Sequence, residues 1–266
     1  MSSKVLWLTP LTRSNDTEEV IRTFEKIWDK IRGPIKEGIK DLPNYKQVMD
    51  LLDQQMKVEV MVSMGGHETP YALCLTVNRD LAQNWNEYGD MSQGIALGFS
   101  DELFLDIVND MPHPSSEFVR AIGWNQVYYD KDNLAQGFVP LFIELLRDNP
   151  NALGWLNIRT TLKHYSGFIK NATFQDEKEV RIVYYPNEDH IGLEAVGVSG
   201  LIQEPFPHCT LSWIKSTGVC ALKEIIIGTN CEYTIDDVKE LLRKNNIDAD
   251  ISVIRSEYPY RKSANR

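Results

Sequence analysis

Two glutamates and an arginine at alternate positions form the pattern in this sequence that is best suited to chemistry. Glu177, Glu179 and Arg181 lie in the stretch Glu-Lys-Glu-Val-Arg, which leads into an apolar run typical of a strand. Because side chains alternate between the two faces of a strand, the three charged groups are expected on one side. Such a group would stabilise a developing cation, activate a nucleophile or hold an anion. An edge strand with a solvated row of charges is the structural alternative.

The same stretch contains half of a metal-dependent nuclease pattern. Asp176-Glu177-Lys178 matches Asp-x-Lys, but such a site also needs an acid on an adjoining strand and a basic surface for its substrate. With 28 basic and 38 acidic residues the formal charge is −10, which disfavours binding to nucleic acid through charge. The four cysteines form no Cys-x-x-Cys pair and no histidine lies at zinc-finger spacing, so no metal is predicted.

A second cluster combines aromatic side chains with glycine turns. Trp85 and Tyr88 are three residues apart, as on one face of a helix, and Gly89 and Gly94 bracket the turn that follows. Aromatic rings beside such a turn could stack on a planar ligand. The alternative is an anchor in the core followed by a helix C-cap.

Charge is distributed unevenly along the chain. Residues 61–117 hold nine acids and the single base Arg79, whereas residues 255–266 hold four bases and one acid. The acidic stretch is interpreted as a solvated surface. In the basic tail, Arg261 would bind a phosphate group or only keep the end of the chain in water.

The elements that must position these residues alternate between helices and strands. An acidic helix start at residues 15–19 leads into a helix that Gly33-Pro34 is expected to stop. Thr234 and Asp237 predict a capping box that opens a helix with Val238, Leu241 and Leu242 inside. Further helices are expected at residues 45–56, 80–88, from 100, 138–147 and 153–164. Strands are expected at residues 4–9, 71–77, 95–99, 122–129, 180–185, 193–198, 209–214, 222–228 and 251–254.

This order predicts one mixed α+β domain over residues 1–266, helix-rich in its first two thirds and strand-rich in its last third. Hydrophobic residues at 42% and charged residues at 25% are ordinary for a folded protein. No apolar run reaches the roughly 20 residues of a membrane helix, and the cysteines are interpreted as thiols of a reducing cytoplasm.

Several short segments, taken in chain order, together resemble one protein family. They are Asn15-Asp16-x-Glu18, Leu81-x-x-x-Trp85-x-x-Tyr88-Gly89-Asp90, Gly94-Ile95-Ala96-Leu97-Gly98-Phe99, Lys163-His164, Glu177-Lys178-Glu179-Val180-Arg181-Ile182-Val183, Glu224-Ile225-Ile226-Ile227-Gly228 and Ser256-x-x-Pro259-Tyr260-Arg261. The set resembles the bacterial domain of unknown function family 2971, from about residue 4 to residue 262.

At a more distant level, the layout is similar to that of ADP-ribosyltransferase-like toxins and defence effectors. That resemblance implies cleavage of the nicotinamide–ribose bond of NAD, with Glu179 at the ribose and Glu177 orienting a protein or nucleotide acceptor. It implies that Tyr88 or Trp85 stacks on the nicotinamide and that Arg261 meets the pyrophosphate. Arg181 joins them as an anion-holding group on the face shared with Glu179.

The start of the chain departs from the family pattern. Members usually have a strand with a Tyr or His-Tyr motif and a helix before the segment that matches Leu6-Trp7-Leu8-Thr9. Either that piece lies upstream, or the chain lacks the part that would hold the adenosine side of NAD. The second case favours a non-catalytic sensor or protein-interaction domain, and the nuclease is the third alternative.

Overall fold

The fold is described from a computed structural model of the chain. The described residues are 4–13, 21–56, 70–105, 107, 122–150, 152–186, 191–194, 206–247 and 250–258.

Helices and strands alternate through the described residues, which confirms the α+β class expected from the sequence. The helices are α1 (Ile21–Gly38), α2 (Tyr45–Gln55), α3 (Ala82–Glu87), α4 (Lys131–Asp148), α5 (Ala152–Ser166) and α6 (Ile235–Lys244). The strands are β1 (Val5–Pro10), β2 (Tyr71–Thr76), β3 (Ile95–Phe99), β4 (Ile122–Gln126), β5 (Glu179–Tyr184), β6 (Gly192–Glu194), β7 (Phe206–Ser212), β8 (Leu222–Ile227) and β9 (Ser252–Arg255).

The contacts within the chain divide it into two units. The first unit comprises Met1–Trp7, Leu75–His113 and Thr210–Arg266, and the second comprises Leu8–Cys74 and Pro114–Cys209. The chain passes between the units along β1, β2 and β7. The single domain expected over residues 1–266 stays a prediction.

Helices and the larger part of a six-stranded sheet make up the second unit. The strand order is β4-β5-β2-β1-β7-β6, with β4 antiparallel to β5 and β6 antiparallel to β7. Helix α1 packs against α4 and α5, and α2 packs against α5. The helical core is built from apolar side chains of these four helices, including Ile27, Ile31, Ile35, Leu52, Phe138, Phe142 and Leu162.

Helix α1 continues through Gly33-Pro34, where the sequence predicted its end. Ile31 and Ile35 are buried at the four-residue spacing of one helix face, and Ile39, directly after the helix, continues this spacing and is also buried. A proline inside a helix costs free energy, because it removes a backbone hydrogen bond. The burial of this apolar stripe against α4 contributes more free energy than the proline costs, so the helix continues beyond Pro34. The expected stop is therefore wrong, because tertiary packing outweighs local preference.

A three-stranded sheet forms the centre of the first unit. The order is β3-β8-β9, with β3 antiparallel and β9 parallel to β8. Helix α6 packs against β9 and begins at the predicted capping box, in which Thr234 and Asp237 bond each other's backbone N–H groups. The prediction for Thr234 and Asp237 is confirmed.

A left-handed turn connects α3 to β3. Asp90, Met91 and Ser92 have φ angles of 48°, 54° and 66°, so three consecutive non-glycine residues adopt a conformation that side chains disfavour. Ser92 is buried, and its backbone N–H donates to the Trp85 carbonyl at 3.2 Å. The turn is therefore held by its packing within the first unit.

Among the described helices, none is both long and apolar enough to cross a membrane.

Candidate functional site

The three charged residues of the Glu-Lys-Glu-Val-Arg stretch come from two different elements. Glu177 ends a 3-10 turn at Ala172–Glu177, and Glu179 is the first residue of β5. Lys178 between them has φ 44° and ψ 53°, a left-handed conformation that ends the 3-10 turn before the strand begins. Strand alternation therefore relates Glu179 to Arg181 but not to Glu177, which reaches the same place through the turn.

The predicted charged group is buried. Glu177 and Glu179 are each 4% exposed and Arg181 is 1% exposed. Strand β5 lies between β4 and β2, so it is an interior strand of the sheet. The alternative of an edge strand with solvated charges is wrong, since both the strand position and the burial contradict it.

Lys170, which the sequence did not single out, brings the two glutamates together. Its Nζ donates to Glu177 Oε2 at 2.6 Å and to Glu179 Oε2 at 3.2 Å. The residue is itself 4% exposed. No spacing rule relates Lys170 to Glu177 or Glu179. The only local hint of a buried lysine was its position directly after the apolar residues of Gly-Phe-Ile-Lys.

Arg181 completes the cluster from the far side of Glu179. Its Nε donates to Glu179 Oε1 at 2.6 Å and its Nη2 donates to Glu179 Oε2 at 3.1 Å, a bidentate arrangement. Its Nη1 donates to the Gly167 carbonyl at 3.0 Å. We call Lys170, Glu177, Glu179 and Arg181 the charged cluster.

Aromatic side chains enclose the charged cluster. The Lys170 ammonium lies 4.7 Å from the centre of the Phe174 ring, a cation–π distance. The hydroxyl of Tyr129 accepts a hydrogen bond from the backbone N–H of Glu179 at 2.9 Å. Burial raises the pKa of Tyr129, and the nearby Glu179 and Glu177 charges add to the rise, so this hydroxyl stays protonated at neutral pH.

The electrostatics of the charged cluster keep Glu179 and Lys170 ionised. Burial disfavours the carboxylate of Glu179, but hydrogen bonds from Arg181 and Cys74 and the charges of Arg181 and Lys170 outweigh it and lower its pKa. Burial likewise disfavours the ammonium of Lys170, yet hydrogen bonds and charges from Glu177 and Glu179 raise its pKa overall. Two negative and two positive groups therefore neutralise one another away from water.

The carboxylate of Glu179 is saturated with hydrogen bonds from this chain. A carboxylate has about four acceptor positions on its two oxygens. Arg181 supplies two donors, Lys170 supplies one and the thiol of Cys74 supplies another. In this arrangement the acceptor positions of the Glu179 carboxylate are already occupied by groups of this chain.

The residues of the nuclease pattern point in different directions. Asp176 and Lys178 are exposed, whereas Glu177 between them is buried. Within the described residues there is no group of three or more histidine, cysteine, aspartate or glutamate side chains that could hold a metal ion. A nuclease would need the side chain of Lys178 to face inward, but that side chain is exposed. The lysine that is buried beside the glutamates is Lys170.

The aromatic pair belongs to the first unit, and the charged cluster belongs to the second. Trp85 is buried, and its indole N–H donates to the carboxylate of Asp80, which also accepts from Ser256 Oγ at 2.8 Å. Tyr88 is exposed. These contacts agree with the interpretation of Trp85 as a core anchor, and the stacking roles of Trp85 and Tyr88 stay predictions.

The last predicted ligand-binding residue, Arg261, lies outside the described residues, so its role at a pyrophosphate stays a prediction. The nearest described arginine, Arg255, holds backbone carbonyls instead: its guanidinium donates to Gly228 at 2.9 Å and to Tyr233 at 2.7 Å.

Comparison with known proteins identifies the segment that carries most of these residues. Neither a curated protein nor a solved structure matches the chain. Residues 84–182 match the model of a family described as protein of unknown function (DUF2971). This span contains Trp85, Tyr88 and the whole charged cluster, and is shorter than the resemblance from residue 4 to residue 262. Over residues 84–182 the chain is therefore similar to the DUF2971 family.

Proposed function

We propose that this protein is a non-catalytic sensing or protein-interaction domain in which the charged cluster holds the second unit together. The observation that carries the proposal is the saturated carboxylate of Glu179. A catalytic carboxylate needs at least one oxygen that can turn to substrate, and it acts where substrate can reach it. Glu179 has its acceptor positions filled by Arg181, Lys170 and Cys74, and is 4% exposed.

The arrangement of the charged cluster suits a structural role. Lys170 precedes the 3-10 turn, Glu177 ends it and Glu179 begins β5, so a single ammonium ties the turn to the sheet. Arg181 then links β5 to the Gly167 carbonyl, just beyond the end of α5. Buried polar networks with all members paired give a unique arrangement of the elements they join.

The experiment is an assay of nicotinamide release from NAD by the full chain. The proposal predicts no release above the rate of NAD alone, both for wild type and for Glu179→Gln. Release by wild type that falls at least about a hundredfold in a folded Glu179→Gln variant would overturn it. Circular dichroism of both proteins shows that any loss is chemical and not a loss of folding.

An ADP-ribosyltransferase-like activity is the second candidate, favoured by the convergence of two glutamates on one cation in the segment that matches DUF2971. The lowered pKa of Glu179 fits a carboxylate that stabilises an oxocarbenium-like ribose, and Glu177 would orient the acceptor. For this chemistry Lys170 or Arg181 must release Glu179 when NAD binds.

The second candidate has its own signature. Glu177→Gln should keep nicotinamide release while losing transfer of ADP-ribose to a protein or nucleotide acceptor. Loss of both reactions together, or of neither, contradicts the separate roles of Glu177 and Glu179.

The compartment we propose is a reducing cytoplasm, in a bacterial defence or stress system. It is supported by the four cysteines, all of which lie in the described part of the chain and none of which forms a disulfide.

A further inference from the structure

An open groove of about 490 Å³ lies in the first unit, between the segment Glu232–Tyr233 and one face of α6. The wall on the helix is formed by Asp237, Glu240, Leu241 and Lys244, which have the spacing of one helical face. The opposite face of α6 carries Val238 and Leu242, which are buried. We call this feature the acidic groove.

Apolar groups are exposed in the acidic groove. The sequence predicted Leu241 on the inner face of its helix, but it is 44% exposed, and Tyr233 across the groove is 62% exposed. The prediction for Leu241 is wrong because Val238 and Leu242, four residues apart, already form the face of α6 that packs inward. An aromatic ring and a leucine exposed on facing walls leave apolar surface for a ligand to cover.

The walls of the acidic groove are held in place before any ligand arrives. Arg255 donates from Nη2 to the backbone carbonyl of Tyr233 at 2.7 Å. The next residue, Thr234, donates from its backbone N–H to Asp237 Oδ2 at 2.8 Å and closes the capping box. The peptide group that joins Tyr233 to Thr234 is therefore held at both its carbonyl and its N–H while the Tyr233 ring is exposed, which lowers the entropy lost on binding.

Charge in the acidic groove is negative. Glu232, Asp237 and Glu240 face a single base, Lys244, which already pairs with Glu240 at 2.7 Å. Hydrogen bonds from Thr234 lower the pKa of Asp237, and the hydrogen bond from Lys244 lowers that of Glu240, so both are ionised at neutral pH. Within the described residues, the side chain of Glu232 makes no hydrogen bond or ion pair.

We propose that the acidic groove binds a basic, arginine-containing peptide segment of a partner protein. An arginine of the partner stacks on the ring of Tyr233 and pairs with Glu232, and a neighbouring apolar side chain covers Leu241. Charge complementarity selects this occupant: the lining residues have a net negative charge, and an anionic or purely apolar segment would leave Glu232 without a partner. The inference rests on the proposed function as an interaction domain and names its partner class.

The experiment titrates the full chain into a fluorescent probe peptide, acetyl-Arg-Leu-Arg-Arg-Leu-Arg-amide, followed by fluorescence anisotropy. Saturable binding that weakens with added salt is expected. Tyr233→Ala and Glu232→Lys should each reduce the affinity about tenfold or more, whereas Tyr233→Phe keeps the ring and should keep the affinity. A peptide with glutamate in place of each arginine should not bind.

Glu87→Lys is the matched control, because Glu87 is an exposed acid of α3 in the same unit and does not line the acidic groove. It changes the net charge as Glu232→Lys does and should leave the affinity within about twofold. Equal losses of peptide affinity in Glu87→Lys and Glu232→Lys would show that the peptide is attracted only to the overall charge of the protein. That result would overturn the proposed site. Absence of saturable binding to wild type would also overturn it.

Failure of the acidic groove and failure of the proposed function give different results. No peptide binding together with no release of nicotinamide rejects the groove and leaves the non-catalytic proposal intact. Peptide binding that depends on Tyr233, together with nicotinamide release that depends on Glu179, retains the groove and rejects the non-catalytic proposal.

Discussion

Lys170 and Glu177 form a buried ion pair across seven residues of sequence, with Nζ 2.6 Å from Oε2 and each residue 4% exposed. The pair closes the 3-10 turn between them onto the start of β5, where the same ammonium lies 3.2 Å from Glu179. A local turn and the interior of the sheet are thus joined through one cation.

Replacing that cation should be among the most damaging single changes in the second unit. Lys170→Met removes the ammonium that donates to the buried carboxylates of Glu177 and Glu179, so the free energy of unfolding should fall by about 3–5 kcal/mol. Chemical denaturation measures it. Lys178→Met removes an exposed lysine and should change stability by about 0.5 kcal/mol or less. Equal effects of the two substitutions would contradict the structural role of the charged cluster.

The pH dependence of stability should change when Glu179 loses its charge. The folded pKa of Glu179 lies below its unfolded value, so its contribution is fully present above the unfolded pKa and is lost as pH falls through the folded pKa. Glu179→Gln should therefore be less stable than wild type at neutral pH, and its stability should fall less steeply on acidification.

Denaturant unfolding at several pH values from neutral down to about pH 3 compares the two proteins. Other carboxyl groups with lowered pKa values, such as Asp41 and Asp237, leave a residual slope in the variant. Parallel stability curves for wild type and Glu179→Gln would show that Glu179 is not held ionised by folding.

A close approach of two loops in the first unit requires glycine at position 228. A Cβ added to Gly228 would lie 2.2 Å from the Ser92 carbonyl oxygen and 2.9 Å from that of Gly94, both rigid backbone atoms. Gly228→Ala should lower the free energy of unfolding by about 1–3 kcal/mol, and the melting temperature should fall with it.

Gly137→Ala in α4 is the opposite case, because no atom lies within 4 Å of the added Cβ. This substitution should raise the free energy of unfolding by about 0.5–1 kcal/mol.

The left-handed residue before β5 offers a stabilising substitution. Lys178 has φ 44° and an exposed side chain, and glycine adopts this conformation without steric cost. Lys178→Gly should raise the free energy of unfolding by about 0.5–1 kcal/mol, whereas Lys178→Ala keeps the strained Cβ and should not. Equilibrium unfolding of the three proteins tests this, and a lower stability for glycine than for alanine would refute it.

Local sequence was enough to locate most elements and to bring Glu179 and Arg181 together. Period-two alternation on β5 places both on one face whatever the rest of the chain does, and Thr234 with Asp237 predicts a helix start from a four-residue pattern. These predictions succeed because the interactions that produce them lie within a few residues of one another.

The end of α1, the exposure of Leu241 and the burial of the charged cluster depend on contacts between distant elements. Pro34 remains helical because Ile35 and Ile39 have α4 to pack against, which no property of Gly-Pro indicates. Leu241 is exposed because Val238 and Leu242 already fill the inner face of α6. The hydrophobic pattern of the sequence does not decide where a helix ends or which of its side chains are buried. The free energy of burial depends on the element that packs against that helix face.

The sequence by itself determined an α+β fold, a similarity of residues 84–182 to a protein family, and a pair of glutamates beside an arginine. Only the tertiary structure decided that these charges are buried and paired with Lys170. Burying a charge is favourable only where an opposite charge is brought within hydrogen-bonding distance, and the packing of β5 between β4 and β2 sets that condition.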